Sequence, residues 1–317
     1  MNRLTGEDEA LLSLSRRLAL ADYRFVTITP ASHRRVVARR PGELARSLTD
    51  VFGWSMPFES ELLPADLRDD LRAAGMLDEA MPACRSLVRV STVRGGAYLH
   101  SAFPTSAEGA VFLGPDSYRF ADLIADELEA RSPPPSARIV DIGVGAGVGA
   151  ITAALCCPSA SIVATDVNPE ALRLTRINAA ARGIALETIE TSGLEGVPGT
   201  FDVALLNPPY IIDHDGPTYR HGGAMHGGQL SLDLAGEALA KLSPSGRLIL
   251  YTGSAIVQGN DALKAALLRA AHAHGCSCRY RELDPDVFGE ELAQPQYADV
   301  DRIALVAAIF SRDPASS

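Results

Sequence analysis

From about residue 106 onward, strand-length apolar runs alternate with amphipathic stretches of helical spacing, and no other feature limits the folding of this 317-residue chain more. ARIVDIG (137–143), SIVATD (161–166), LETIET (186–191), FDVALL (201–206) and RLILYTG (247–253) read as strands. SYRFADLIADELEA (117–130) precedes them as a helix. GVGAITAALCC (147–157), PEALRLTRINAAARG (169–183), LSLDLAGEALAKL (230–242) and DALKAALLRAAHAHG (261–275) supply further helices. Such alternation implies an α/β fold, a parallel sheet with helices on both faces. The last two runs, CSCRYREL (276–283) and RIALVAAIF (302–310), leave no room for a usual helical crossover, so they are expected to pair antiparallel.

The first 105 residues have a different pattern. Residues 7–22 and 41–52 have helical periodicity, and LPADLRDDLRAAGMLDE (63–79) reads as a helix with Gly75 as its C-terminal stop. RSLVRVSTV (85–93) and AYLHSAF (97–103), joined by Gly95-Gly96, give a hairpin signal. Helices followed by a hairpin are similar to a winged helix. The expected division is a smaller helical, winged-helix-like module over residues 1–105 and a catalytic domain over 106–317. In HRRVVARRP (33–41), helical spacing would put Arg35 and Arg39 on one face, and a solvated face explains them better than a phosphate patch.

Charge narrows the partners. The net charge is −10; residues 1–100 hold 14 Arg and 13 acidic residues, which leaves the remainder strongly acidic. This argues against binding duplex DNA through a generally positive surface, and a small molecule or a protein is the favoured partner over duplex DNA. Five cysteines form no secreted framework, and no apolar stretch is long enough for a membrane span, so a cytoplasmic protein without a membrane partner is expected.

The stretch VDIGVGAGVGA (140–150) lies where the first strand of the alternating region turns into a helix. Gly143, Gly145 and Gly147 permit a tight turn and close approach of a ligand to backbone N–H groups. Asp166 ends the next strand, where an acid can accept hydrogen bonds from ribose hydroxyls. NAD and S-adenosyl-L-methionine (SAM) share these features. Asp141 ahead of the loop in the order D-x-G-x-G-x-G, the NPPY sequence at 207–210, and the final strand pair favour SAM.

With these motifs the chain resembles the class I SAM-dependent methyltransferases over roughly residues 106–317, whose sheet is Rossmann-like. The resemblance is to the NPPY type, which includes the release-factor glutamine and adenine-N6 methyltransferases. The front segment resembles the winged-helix-like region of a bacterial group with the same catalytic half. It implies that Asp141 and the Gly143–Gly147 loop cradle the methionine part of SAM. It also implies that Asp166 holds the ribose, with Asn168 in the same VATDVN segment, and that Ser192-Gly193 lie beside the adenine. Many relatives have an acid where this chain has Ser192. Phe112, Asp116 and Tyr118, in VFLGPDSYRF, match a segment that closes over the cofactor, and Asn207 is expected at the cofactor as well as at the acceptor.

The chemistry of NPPY follows from its residue types. A nitrogen conjugated to a ring or carbonyl is a poor nucleophile until its lone pair is turned towards the sulfonium methyl. The Asn207 side-chain oxygen and the Pro208 carbonyl can each accept one N–H, and Tyr210 can stack on the planar acceptor. No metal is expected: His214, His221 and His226 share a glycine-rich loop but lack a helical pair or a Cys partner. Cys276 and Cys278 read as buried thiols, Ser254 lacks a nucleophile elbow, and Trp54 reads as core. Two other functions fit parts of the pattern. One is an azetidine-2-carboxylate synthase, in which SAM is itself the substrate and methylthioadenosine leaves; the other is a SAM-sensing DNA-binding regulator.

Overall fold

The computed structural model describes residues 4–80, 82–212 and 222–312. Helices α1 (Gly6–Leu20), α2 (Pro30–Val37), α3 (Leu48–Phe52) and α4 (Ala65–Ala73) come first. Strands β1 (Leu77–Asp78), β2 (Arg85–Ser86), β3 (Val88–Val93) and β4 (Gly96–Ser101) follow. Then come α5 (Pro115–Ala130), β5 (Arg138–Ile142), α6 (Val148–Cys156), β6 (Ser161–Asp166), α7 (Pro169–Ala180), β7 (Glu187–Glu190) and β8 (Phe201–Leu206). The chain continues through α8 (Gln229–Ala240), β9 (Leu242–Val257), β10 (Asn260–Asp261), α9 (Ala262–Ala273), β11 (Cys276–Asp284) and β12 (Arg302–Arg312). None of the described helices is long and apolar enough to cross a membrane.

These elements fall into two compact units, one of Met1–Asp122, Val144–Ile151 and Asn168–Glu187, the other of Leu123–Gly143, Thr152–Val167 and Thr188–Ser317. In the first unit, α1 starts on a reciprocal cap: the Thr5 N–H donates to Asp8 Oδ2 at 2.9 Å, and the Asp8 N–H donates to Thr5 Oγ1 at 3.2 Å. Its buried stripe is Leu11, Leu14 and Leu18. Strands β3 and β4 form the expected hairpin, but the turn residues are Arg94 and Gly95, both at positive φ, and Gly96 is already paired with Val93. A two-residue turn of this hand matches the twist of its strands.

Three local expectations need correction. Thr29 caps α2 at Pro30 and the helix ends at Val37, so Arg39 lies beyond it and does not share a helix face with Arg35. The helix expected over 41–52 contracts to α3, because Gly42 adopts φ +71 and Ser47 supplies the cap further on. The helix expected over 63–79 stops at Ala73, with Gly75 at φ +66; Leu77–Asp78 instead pairs with Arg85–Ser86. In the last two cases a glycine at positive φ outweighs apolar spacing.

The core of this unit carries unusual polar groups. Arg89, 2% exposed, donates from Nε to the Gly53 carbonyl at 3.0 Å and lies 5.6 Å from the Phe25 ring centre. Burial lowers its pKa to about 10. His33 is buried beside Trp54 and Phe103, and its Nε2 donates to the Trp54 carbonyl at 3.1 Å. His100 is buried too, with Nε2 2.7 Å from Ser91 Oγ. Burial first, and the Arg89 cation second, lower the His33 pKa to about 4 and push His100 well below the usual imidazole value. An unfolded histidine titrates near pH 6.5, so between about pH 4 and 6.5 the unfolded chain binds protons that the native chain refuses. Stability is expected to fall as pH drops through that window. Melting temperatures at pH 5 and 7 check this, and the difference should shrink in His33→Gln.

The second unit is built on the main sheet, in the order β11-β12-β9-β8-β5-β6-β7, with β10 added to β9. β5 pairs in parallel with β6 and β8, and β8 with β9. β12 runs antiparallel to both β9 and β11, as the missing crossover requires. Ile303 to Phe310 of β12 are all buried, which is why that run is continuously apolar and does not alternate. Asp261 caps α9 by accepting from the Lys264 N–H at 2.8 Å, and Leu263, Ala266, Leu267 and Ala271 form its core-facing stripe.

Candidate functional site

Strand register brings three of the expected positions to one edge. Within the second unit, Ile142 pairs with Thr165 of β6 and with Leu206 of β8. The next residues along the chain are Gly143, Asp166 and Asn207, so all three leave the sheet side by side at the carboxyl ends of adjacent strands. This is also where the strand order reverses, β5 leading outward to β6 in one direction and β8 lying on its other side. Open α/β sheets bind ligands at such a switch point.

Other members join from the same unit. Asp141, 2% exposed, sits on β5 one residue before its end. The Thr191 N–H donates to the Asp166 carbonyl at 3.1 Å, and Thr165 Oγ1 donates to the Gly193 carbonyl at 3.0 Å. Ser192 and Gly193 therefore lie next to the end of β6, with the Ser192 side chain exposed. Glu237 of α8 holds this loop through the Leu194 N–H at 2.9 Å. Gly193 has φ +55, a conformation that favours glycine, and an added Cβ there would force the Glu237 carboxylate to shift.

Asn207 is half-buried and Pro208 is buried. The Tyr210 ring is 7% exposed and makes an edge-on contact with Phe288, the ring centres being 5.6 Å apart. Gly253 of β9 lies so close that a Cβ there would enter the Tyr210 ring. Past the turn, the Ile212 N–H donates to Tyr297 Oη at 2.7 Å, and the Ile211 carbonyl accepts from the Gly222 N–H at 2.7 Å.

The first unit holds the remaining positions. Gly145 and Gly147 have φ +55 and +87; nothing lies within 4 Å of a Cβ built on Gly145, whereas one on Gly147 would press on Thr175 and Ile151. In the second unit, nothing lies within 4 Å of a Cβ built on Gly143 either. The glycine loop thus bares backbone where a ligand can lie against it, which fits a cofactor cradle. Thr175 Oγ1 donates to the Gly145 carbonyl at 3.0 Å. The Asn178 Nδ2 donates to the Ala146 carbonyl at 2.9 Å and to the Leu99 carbonyl at 3.0 Å, while Asn178 Oδ1 accepts from the Leu99 N–H at 2.8 Å. Asn168 uses its Oδ1 to cap α7 at the Glu170 N–H, and its Nδ2 donates to the Gly109 carbonyl at 2.9 Å. Phe112 folds over Gly114, where an added Cβ would strike its ring. Asp116 opens α5, and Tyr118 Oη accepts from the Thr27 N–H at 2.8 Å.

Sequence reasoning missed Asn178, Thr175, Glu237, Gly253 and Phe288, none of which lies in a motif. No group of three or more metal-ligating side chains exists among the described residues. His226 lies 3.0 Å from Asp299 through Nε2, while His214 and His221 lie outside the described residues. Cys276 and Cys278 are half-buried on β11; burial raises the Cys278 thiol to about 11. Ser254 Oγ donates to Asp261 at 2.7 Å, and Trp54 packs edge-on against Phe25.

The sheet order of the second unit, with β12 antiparallel between β9 and β11, is that of the Rossmann-like class I methyltransferase fold. Residues 111–267 match the family model described as the methyltransferase small domain. The chain is 34% identical over 197 residues to the release factor glutamine methyltransferase of Deinococcus radiodurans, covering 59% of this chain and 66% of that protein. It is also 34% identical over 104 residues to the ribosomal RNA small subunit methyltransferase C of Shewanella oneidensis, covering 33% of this chain and 30% of that one. The chain thus spans less than two thirds of the length of these relatives. Among solved structures, P. horikoshii TYW2 in complex with MeSAdo shares the fold, with a TM-score of 0.51 at 12% identity over 89% of this chain and 98% of that one.

Proposed function

We propose that this chain is a SAM-dependent methyltransferase acting on a planar amino or amide nitrogen. The observation that carries the proposal is the register that ends β5, β6 and β8 together, so that Gly143, Asp166 and Asn207 share one sheet edge. SAM, when bound, supplies an electrophilic methyl group on a sulfonium. Asp166 accepts from the ribose hydroxyls, and the N–H groups of the glycine loop, with Asp141 behind them, hold the methionine part. Asn207 Oδ1 and the Pro208 carbonyl accept the two N–H groups of the acceptor and aim its lone pair at the methyl. As the N–C bond forms and the C–S bond breaks, positive charge builds on nitrogen, and the two oxygens stabilise it until a proton passes to water. No strong base is needed, because the methylated nitrogen is acidic enough to lose that proton.

The relatives methylate, by their names, a protein glutamine or ribosomal RNA; for this chain a protein amide or a small molecule is favoured, given the acidic balance of residues 101–317. Residues 1–105 are assigned to acceptor recognition or to a lid. The test needs no known acceptor: incubate the protein with SAM, with and without small-molecule and protein extract, and identify the nucleoside product by mass spectrometry. S-adenosylhomocysteine formed only with extract is the expected result. Methylthioadenosine formed without extract would replace methyl transfer by a reaction of SAM on itself.

A further inference from the structure

Between Asp284 and Arg302 the chain makes two short 3-10 turns, Gly289–Ala293 and Pro295–Tyr297, and this segment is fastened to the residues just beyond NPPY. Tyr297 is buried with its hydroxyl on the Ile212 N–H, and Asp299 meets His226. Phe288 leads the segment with φ 56 and ψ 36, the left-handed region that a large side chain seldom occupies. Strain of this kind persists only where surrounding structure imposes it, and Met225 and His226, at φ 55 and 52, share it. Gly227, next in the chain, approaches so closely that a Cβ on it would strike the Tyr210 carbonyl.

The consequence is an exchange of roles between two aromatics. Tyr210 is nearly closed off, with Gly253 against its ring and Phe288 across it, whereas Phe288 is only half-buried. Among the described residues at this corner, the aromatic surface open to solvent is that of Phe288. Residues 283–301 also hold six carboxylates and no Lys or Arg. A strand of phosphates entering here would meet like charge in place of the cations it needs.

We propose that Phe288 presents the aromatic face on which the acceptor lies, with Tyr210 as its backing, and that the acceptor is a neutral or basic amide or amine rather than a nucleic acid. This rests on the NPPY site proposed above. The sum of the two features sets specificity: a planar group packs on the ring, and a polyanion is turned away.

The experiment uses the full chain, tritiated SAM and titrated lysate from cells lacking the protein, with label followed into protease-sensitive, nuclease-sensitive and small-molecule fractions. SAM affinity is measured in parallel by calorimetry. For Phe288→Ala, half-saturation should need about tenfold more lysate, with plateau rate and SAM affinity near those of the unaltered protein; Phe288→Tyr should restore it. Should Phe288→Ala fail to fold, Phe288→Leu, which keeps bulk without an aromatic face, takes its place. Unchanged half-saturation would overturn the role of Phe288, and nuclease-sensitive label would overturn the acceptor class. Failure of the underlying site is distinguishable, since Asn207→Ala would then label as well as the unaltered protein, or the unaltered protein would bind SAM and transfer nothing.

Discussion

Replacing Asn207 with alanine is expected to lower methyl transfer by about 10²–10³, by analogy with the loss of one preorganised transition-state hydrogen bond. SAM affinity should stay within several-fold, because the cradle proposed for the cofactor is mainly the glycine loop, Asp141 and Asp166, with Asn207 one contact among several. The strand before it is paired on both sides, Leu206 with Ile142 and with Leu250, and Pro208 and Pro209 stiffen the exit. The truncation therefore removes one acceptor atom without a path for collapse. Steady-state rates with a labelling extract, beside calorimetric SAM titration, separate the two effects. Turnover that survives intact would remove NPPY from the chemistry, whereas joint loss of turnover and SAM binding would move Asn207 to the cofactor.

Asn178→Ala is expected to be among the most damaging single changes to stability, costing roughly 3–5 kcal/mol, because buried polar groups left without partners each cost about 1–3 kcal/mol. The side chain is 0% exposed and satisfies the Leu99 N–H, the Leu99 carbonyl and the Ala146 carbonyl at once. Alanine strips all three, and no other side chain of the described residues is shown at those atoms. Urea unfolding monitored by circular dichroism measures the loss. Asn178→Asp keeps the acceptor for the Leu99 N–H but turns a buried carboxylate oxygen on two carbonyls, so it should cost at least as much as alanine. A loss below about 1 kcal/mol would mean that the hairpin and the glycine loop hold their positions without this amide.

The legible part of this protein was the part governed by near neighbours in sequence. Continuous apolar runs located β5, β6 and β8, and helical spacing located α7 and α9, within a few residues, since a strand buried on both faces and a helix with one buried face impose those patterns. The glycine loop and NPPY were legible because positive φ and a missing N–H can be met by few residue types. The first third was read less well. Apolar spacing suggested helices over 41–52 and 63–79; Gly42 at positive φ broke the first, and in the second Gly75 is the stop that the sequence offered, with Leu77–Asp78 beyond it a short strand.

Asn178 shows why the rest was hidden. In RINAAARG it is one polar residue in an amphipathic helix, and its partners lie 79 and 32 positions away. Tyr297 and Ile212, 85 apart, are the same case. Gly253 reads as an ordinary strand glycine until Tyr210 is laid on it. The sequence by itself determined the alternating sheet, the carboxyl-edge loops and the stiff NPPY turn on which the proposal for Asn207 and Pro208 rests, because spacing and backbone restriction are local properties. Only the tertiary structure decided that Tyr210 is closed in and Phe288 is left open, because exposure depends on which distant segments arrive, and no local pattern records their arrival.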